Sequence, residues 1–96
     1  MTNTVEHFID GKRVTPSSST TFADINPATG EVLAEVGMDE VAAAEAAVQS
    51  SANAFRGWSE TPVGDRCQVL FRYKELLEQH FDELTQMIVD EHGKTI

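Results

Sequence analysis

The residue period changes once along this chain, near residue 38, and does not change back. Before that point short apolar stretches are separated by turn residues. After it, apolar residues recur every three or four positions almost to the end. Side chains alternate between two faces in a strand, whereas in a helix they return to one face roughly every 3.6 residues. One switch of period therefore predicts an α+β chain, with strands in region 7–37 and helices in region 39–93. With 96 residues the chain holds one small domain at most. No internal repeat is visible.

The strand region reads as two hairpin-like units. Phe8-Ile9 and Lys12-Arg13-Val14 flank Asp10-Gly11. Asp-Gly is a strong two-residue hairpin turn because both positions accept positive φ. After the polar loop from Thr15 to Thr20 comes Thr21-Phe22-Ala23-Asp24-Ile25, then Asn26-Pro27-Ala28-Thr29-Gly30, then Glu31 to Val36. Pro27 fixes φ and Gly30 permits φ above zero, so this middle stretch is a turn.

In the helical region Asp39 stands where an N-cap belongs. Val41, Ala44, Val48, Ala52 and Phe55 make one apolar face, and Gly57 is the expected stop. Thr61-Pro62 reads as the next start, with the proline at the first helical position. Val63, Cys67, Leu70, Leu77, Phe81, Leu84 and Ile88 carry the period on. A break is expected near Phe81-Asp82, with Asp82 capping a last helix that Gly93 ends. Two to three helices are therefore expected.

Composition narrows the class of protein. Hydrophobic residues make up 41% and charged residues 24%, which suits a globular segment rather than a disordered one. The net charge of -9 opposes binding to nucleic acid or anionic lipid. No apolar run approaches the roughly 18 to 20 residues of a membrane span, and the N-terminus has neither a basic start nor an apolar signal core. A single cysteine, Cys67, forms no internal disulfide and points to a reducing, cytoplasmic setting.

Candidate chemistry is sparse. Gly93-Lys94-Thr95 resembles the end of a phosphate loop, but that loop needs a glycine where Ile88 stands, and it should open a helix rather than close one. Cys67 lies on the apolar stripe with only Arg66 beside it, and reads as a small core residue rather than a nucleophile. His7, His80 and His92 form no metal-ligand spacing, and the latter two suit helix ends. Trp58 reads as an anchor between helices. No Gly-x-Gly-x-x-Gly follows a strand. Period and spacing alone thus give no catalytic or cofactor-binding residue.

The longer strings say more. HFIDGKRV, DINPATGEVLAEV, AFRGW and RCQVLFRYKELLEQHFDELTQMIVDEHGKT, in this order and spacing, resemble the N-terminus of the aldehyde dehydrogenase superfamily from about Phe8 to Thr95. Arg66 to Tyr73 and the closing Gly-Lys-Thr are most similar to the methylmalonate-semialdehyde dehydrogenase branch, which passes its acyl group to coenzyme A. Succinate-semialdehyde and betaine-aldehyde relatives share much of this frame. The resemblance implies that residues 1–96 are the outer, incomplete part of a Rossmann-like NAD domain. It implies NAD and coenzyme A as cofactors of the intact enzyme, and none held by this chain. It implies homo-oligomers for intact relatives. The family's catalytic cysteine, glutamate base, oxyanion asparagine and NAD-holding residues all lie beyond Ile96, so the chain alone is expected to be inactive.

Some members of the superfamily bind a monovalent cation near this region. The matching positions are Asp24, the backbone carbonyl of Ile25, and Glu91. The competing reading of Glu91 is a solvated helix-end carboxylate. The expected partner is the remainder of an aldehyde dehydrogenase. The alternative is a stand-alone interaction module or decoy that docks on a full-length relative.

Overall fold

The computed structural model describes residues 3–96. Five strands precede three helices among the described residues: β1 (Asn3–Val5), β2 (His7–Ile9), β3 (Lys12–Val14), β4 (Thr21–Ile25), β5 (Val32–Gly37), α1 (Val41–Glu60), α2 (Val63–Gln79) and α3 (Phe81–His92). The single switch of period near residue 38 is therefore the single boundary between strands and helices.

Both expected hairpins are present. β2 and β3 pair antiparallel, His7 opposite Val14, around Asp10 and Gly11, whose φ angles are 55° and 70°. That is the left-handed pair a two-residue turn of this hand needs. β4 and β5 pair antiparallel from Thr21 opposite Gly37 to Ile25 opposite Val32, with a register shift between Asp24 and Ile25. Sequence reading missed β1, which pairs parallel to β5 and places β5 in the middle of a three-stranded sheet. The β2–β3 hairpin is a separate sheet.

The helix ends differ from expectation in three places. α1 runs through Gly57 to Glu60. One interior glycine costs only about 1 kcal/mol, whereas Pro62 drives the residue before it out of the helical region; Thr61 sits at φ -66°, ψ 132°. Pro62 itself lies just outside α2, at the N-cap position, and Val63 is the first helical residue. The last break falls at His80 rather than at Phe81-Asp82, and Asp82 sits in the first turn of α3 without acting as its cap. Gly93 ends α3 in the left-handed conformation at φ 67°, as expected.

Packing departs further from the periodicity. The face of α1 carrying Val41, Val48 and Phe55 is 67–70% exposed. Ala43, Ala47 and Ser50 are the half-buried positions of that helix instead. Trp58 is 44% exposed and Val63 and Leu70 more so, so the anchor and the stripe expected of them are uncovered. No apolar side chain is buried among the described residues. The radius of gyration is 17.1 Å, against about 12 to 13 Å for a compact chain of this length. Among the described residues no helix is long and apolar enough to cross a membrane.

Candidate functional site

The hydrogen-bonded turn between β4 and β5 receives the end of α3. Within the turn the Gly30 amide donates to the Asn26 carbonyl at 2.8 Å, and the Ala28 amide donates to Asn26 Oδ1 at 2.9 Å. Gly93 lies against it so closely that an added Cβ would stand 3.0 Å from the Ala28 nitrogen and 3.0 Å from Pro27 Cγ. Asp24 precedes the turn by two residues, and Glu91 precedes Gly93 by two. The docking therefore brings their carboxyl groups within hydrogen-bonding reach.

The electrostatics follow. The Glu91 carboxyl is held above its ordinary 4.5, first by the hydrogen bond to Asp24, then by desolvation and by the negative charge of Asp24. Two carboxyls this close favour a shared proton or a bound cation. Ile25 lies at the register shift beside Asp24. Two carboxyls are only a partial set for a hard cation, which gathers about six or more oxygens. Among the described residues no cluster of three or more His, Cys, Asp or Glu is placed to hold a metal ion.

A second polar cluster was not foreseen. Asp39 does not cap α1; its carboxylate turns back toward the strand region. It accepts from the Ser18 amide at 2.7 Å, the Ser17 amide at 3.1 Å, Ser17 Oγ at 3.3 Å and His7 Nε2 at 3.0 Å. Two main-chain donors and an imidazole outbid the orphan amides of a helix end, and the Asp39 side chain is left 7% exposed. Its carboxyl is held below the ordinary 3.8, chiefly by the Ser18 amide. An acid just before a helix is the shared signal of both arrangements, so sequence alone does not separate them. A shallow cavity of about 520 Å³ lies beside this cluster, lined by Phe8, Phe22, Met38, Ala43 and Ala47.

The remaining candidates stay apart. Cys67 is half-buried on α2 and free of any disulfide among the described residues. His80 Nδ1 lies 3.0 Å from Glu83 at the α2–α3 break, and His92 closes α3. Neither the phosphate-loop glycine nor a dinucleotide turn occurs in the sequence, so no residue here is assigned to NAD or coenzyme A.

The strand hairpins and the helices that follow them correspond to the outer, unclosed part of a Rossmann-like nucleotide domain. Residues 14–96 match the aldehyde dehydrogenase family, and the chain belongs to it. Malonate-semialdehyde dehydrogenase 3 of Geobacillus kaustophilus (strain HTA426) is 43% identical over 93 residues, which are 97% of this chain and 19% of that relative. The structure of methylmalonate-semialdehyde dehydrogenase from Oceanimonas doudoroffii superposes with a TM-score of 0.88 at 38% identity, over 96% of this chain and 18% of that one. An aldehyde dehydrogenase C variant from Pseudomonas syringae, solved with NAD+ and octanal, gives 0.85 at 39% identity over 88% of this chain and 18% of its own. The chain thus spans about a fifth of the length of the relatives it matches and corresponds to their N-terminal part.

Proposed function

We propose that this chain is the N-terminal segment of an NAD-dependent aldehyde dehydrogenase of the malonate/methylmalonate-semialdehyde type, which transfers its acyl product to coenzyme A. The observation that carries this is the match to malonate-semialdehyde dehydrogenase 3, 43% identical across 97% of the chain. In such an enzyme a cysteine thiolate attacks the aldehyde and hydride passes to NAD, with groups outside these residues. The role of this segment is to form the outer layer of the nucleotide domain. Alone it turns over no aldehyde.

The test is a graft. The matching N-terminal fifth of the Geobacillus relative is replaced by residues 1–96, and NADH formation from malonate semialdehyde is followed with and without coenzyme A. A graft that assembles and turns over at a rate within about tenfold of the parent supports the reading of this segment as the outer layer of that enzyme's nucleotide domain. A graft that fails to assemble or forms no NADH overturns it.

We also propose that Asp24, the Ile25 carbonyl and Glu91 supply part of a monovalent cation site, completed by oxygens from outside the segment. The raised Glu91 carboxyl supports this, because a cation between the two acids relieves the same repulsion as a proton. In the graft, Glu91 then ionises at lower pH in K+ than in tetramethylammonium at equal ionic strength. Equal titration in the two salts sinks the idea.

A second reading shares the same exposed faces: a chain of this length docking in trans on a full-length relative. Large uncovered side chains such as Phe55 and Leu70 favour it equally. Co-purification of residues 1–96 with the intact relative, at the expense of that relative's own assembly, would separate the two.

A further inference from the structure

The β2–β3 hairpin is a sheet of its own. Among the described residues one side-chain hydrogen bond runs from it to the start of α1: His7 Nε2 to Asp39 Oδ2, at 3.0 Å. The chain leaving β3 is held differently. Pro16 seats on Gly37 so closely that any Cβ there would overlap its ring. That contact is apolar and carries no charge.

Asp39 has no acceptor capacity to spare. A carboxylate offers about four acceptor sites, and two serine amides, a serine hydroxyl and the imidazole take them. It stays ionised at neutral pH, since these donors hold its carboxyl below the ordinary 3.8. An ionised carboxylate only accepts, so His7 Nε2 carries the hydrogen of the bond. The proton that can come and go is therefore the one on Nδ1. Adding it keeps the bond in place and makes it charge-assisted, roughly twice as strong as a neutral one. The other charged groups around the ring are few. Glu40 lines the shallow cavity with it on the α1 side, and Glu6 and Arg13 line a depression with it on the hairpin side. Counting Asp39, three carboxylates and one guanidinium surround the imidazole.

From this we infer that His7 and Asp39 form a proton-operated clasp, which holds the β2–β3 hairpin to the start of α1 more tightly when the imidazole is charged than when it is neutral. Imidazole is the side chain whose charge ordinarily changes between about pH 5 and 8. The Pro16–Gly37 seat does not respond to pH, so the hairpin loosens at its β2 end and stays attached at the other. The clasp lies wholly within this segment and needs no group from the rest of a longer enzyme.

The graft tests it by hydrogen exchange at the Ser17 and Ser18 amides, both of which donate to Asp39. Protection, taken relative to each amide's intrinsic rate at the same pH, should fall by about fivefold from about pH 5.5 to about pH 8. His7→Gln keeps a donor and is neutral throughout. Asp39→Asn removes the charge that the imidazolium meets. Each should flatten the response, while the amides that join β4 to β5 stay level in all three proteins. Protection that does not change with pH in the parent graft overturns the inference. So does a change that persists in His7→Gln, or one shared by the β4–β5 amides, since the proton would then act elsewhere.

Discussion

A single carboxylate, that of Asp39, ties three stretches of chain together: the start of β2, the β3–β4 connection and the approach to α1. Its acid is strengthened by those donors, so its bonds survive above the ordinary 3.8 and are lost only as pH falls through the lower folded value. Hydrogen exchange at the Ser17 and Ser18 amides should accelerate by about tenfold in Asp39→Ala at neutral pH. The amides that join β4 to β5 serve as the internal control, and equal acceleration there would make the effect global. Glu91 has the opposite sign. Its folded value is raised, so the pair is tolerated below the ordinary 4.5 and becomes a liability as pH rises through the raised folded value. Glu91→Gln should therefore tighten the contact between α3 and the β4–β5 turn at neutral pH, seen as slower exchange of the Gly93 amide, which donates to the Val89 carbonyl at 2.8 Å.

At the level of elements, Gly57 inside α1 and Gly93 at the end of α3 behave oppositely. A Cβ at Gly57 meets nothing within 4 Å. Gly57→Ala should stabilise α1 by about 0.5–1 kcal/mol, read as increased helical circular dichroism. Gly93 has φ 67° and already crowds Ala28, so Gly93→Ala should loosen the α3 terminus by about 1–2 kcal/mol, read as faster exchange at its own amide. These contrasts also mark what could be read from the sequence. Asp10-Gly11, Asn26 to Gly30 and Gly93 were legible because each demands a backbone state that few residues adopt. β1 was not, since Asn-Thr-Val has no turn of its own and its pairing with β5 is long-range. The half-buried side of α1 was misread because periodicity marks the most apolar face, whereas the small residues Ala43 and Ala47 are the ones that turn toward the shallow cavity shared with Phe8 and Phe22. The acid pair was found through resemblance; no local spacing links position 24 to position 91.

Across the whole molecule the uncovered faces dominate. Each exposed Val, Leu, Phe or Ile forgoes roughly 1.5–3 kcal/mol that burial would supply, and a domain's net stability is only about 5–15 kcal/mol. The isolated chain should therefore melt without a sharp heat-absorption peak, bind a hydrophobic dye, and self-associate as concentration rises in sedimentation. A clean monomer with a calorimetric two-state transition would contradict this. With a net charge of -9, added KCl should screen self-repulsion and raise helix content; an unchanged spectrum up to molar salt would count against that.

The seating of Gly93 on the Asn26–Gly30 turn also sets an order of assembly. Asp24 and Glu91 stand 67 positions apart, and closing a loop of that length costs about 4 kcal/mol of chain entropy. The β4–β5 hairpin forms from neighbours in sequence and needs none of this. During synthesis it emerges from the ribosome long before α3 exists. The acid pair is thus a late event, and a chain halted a few residues short of Gly93 would carry a finished hairpin and no acid pair at all.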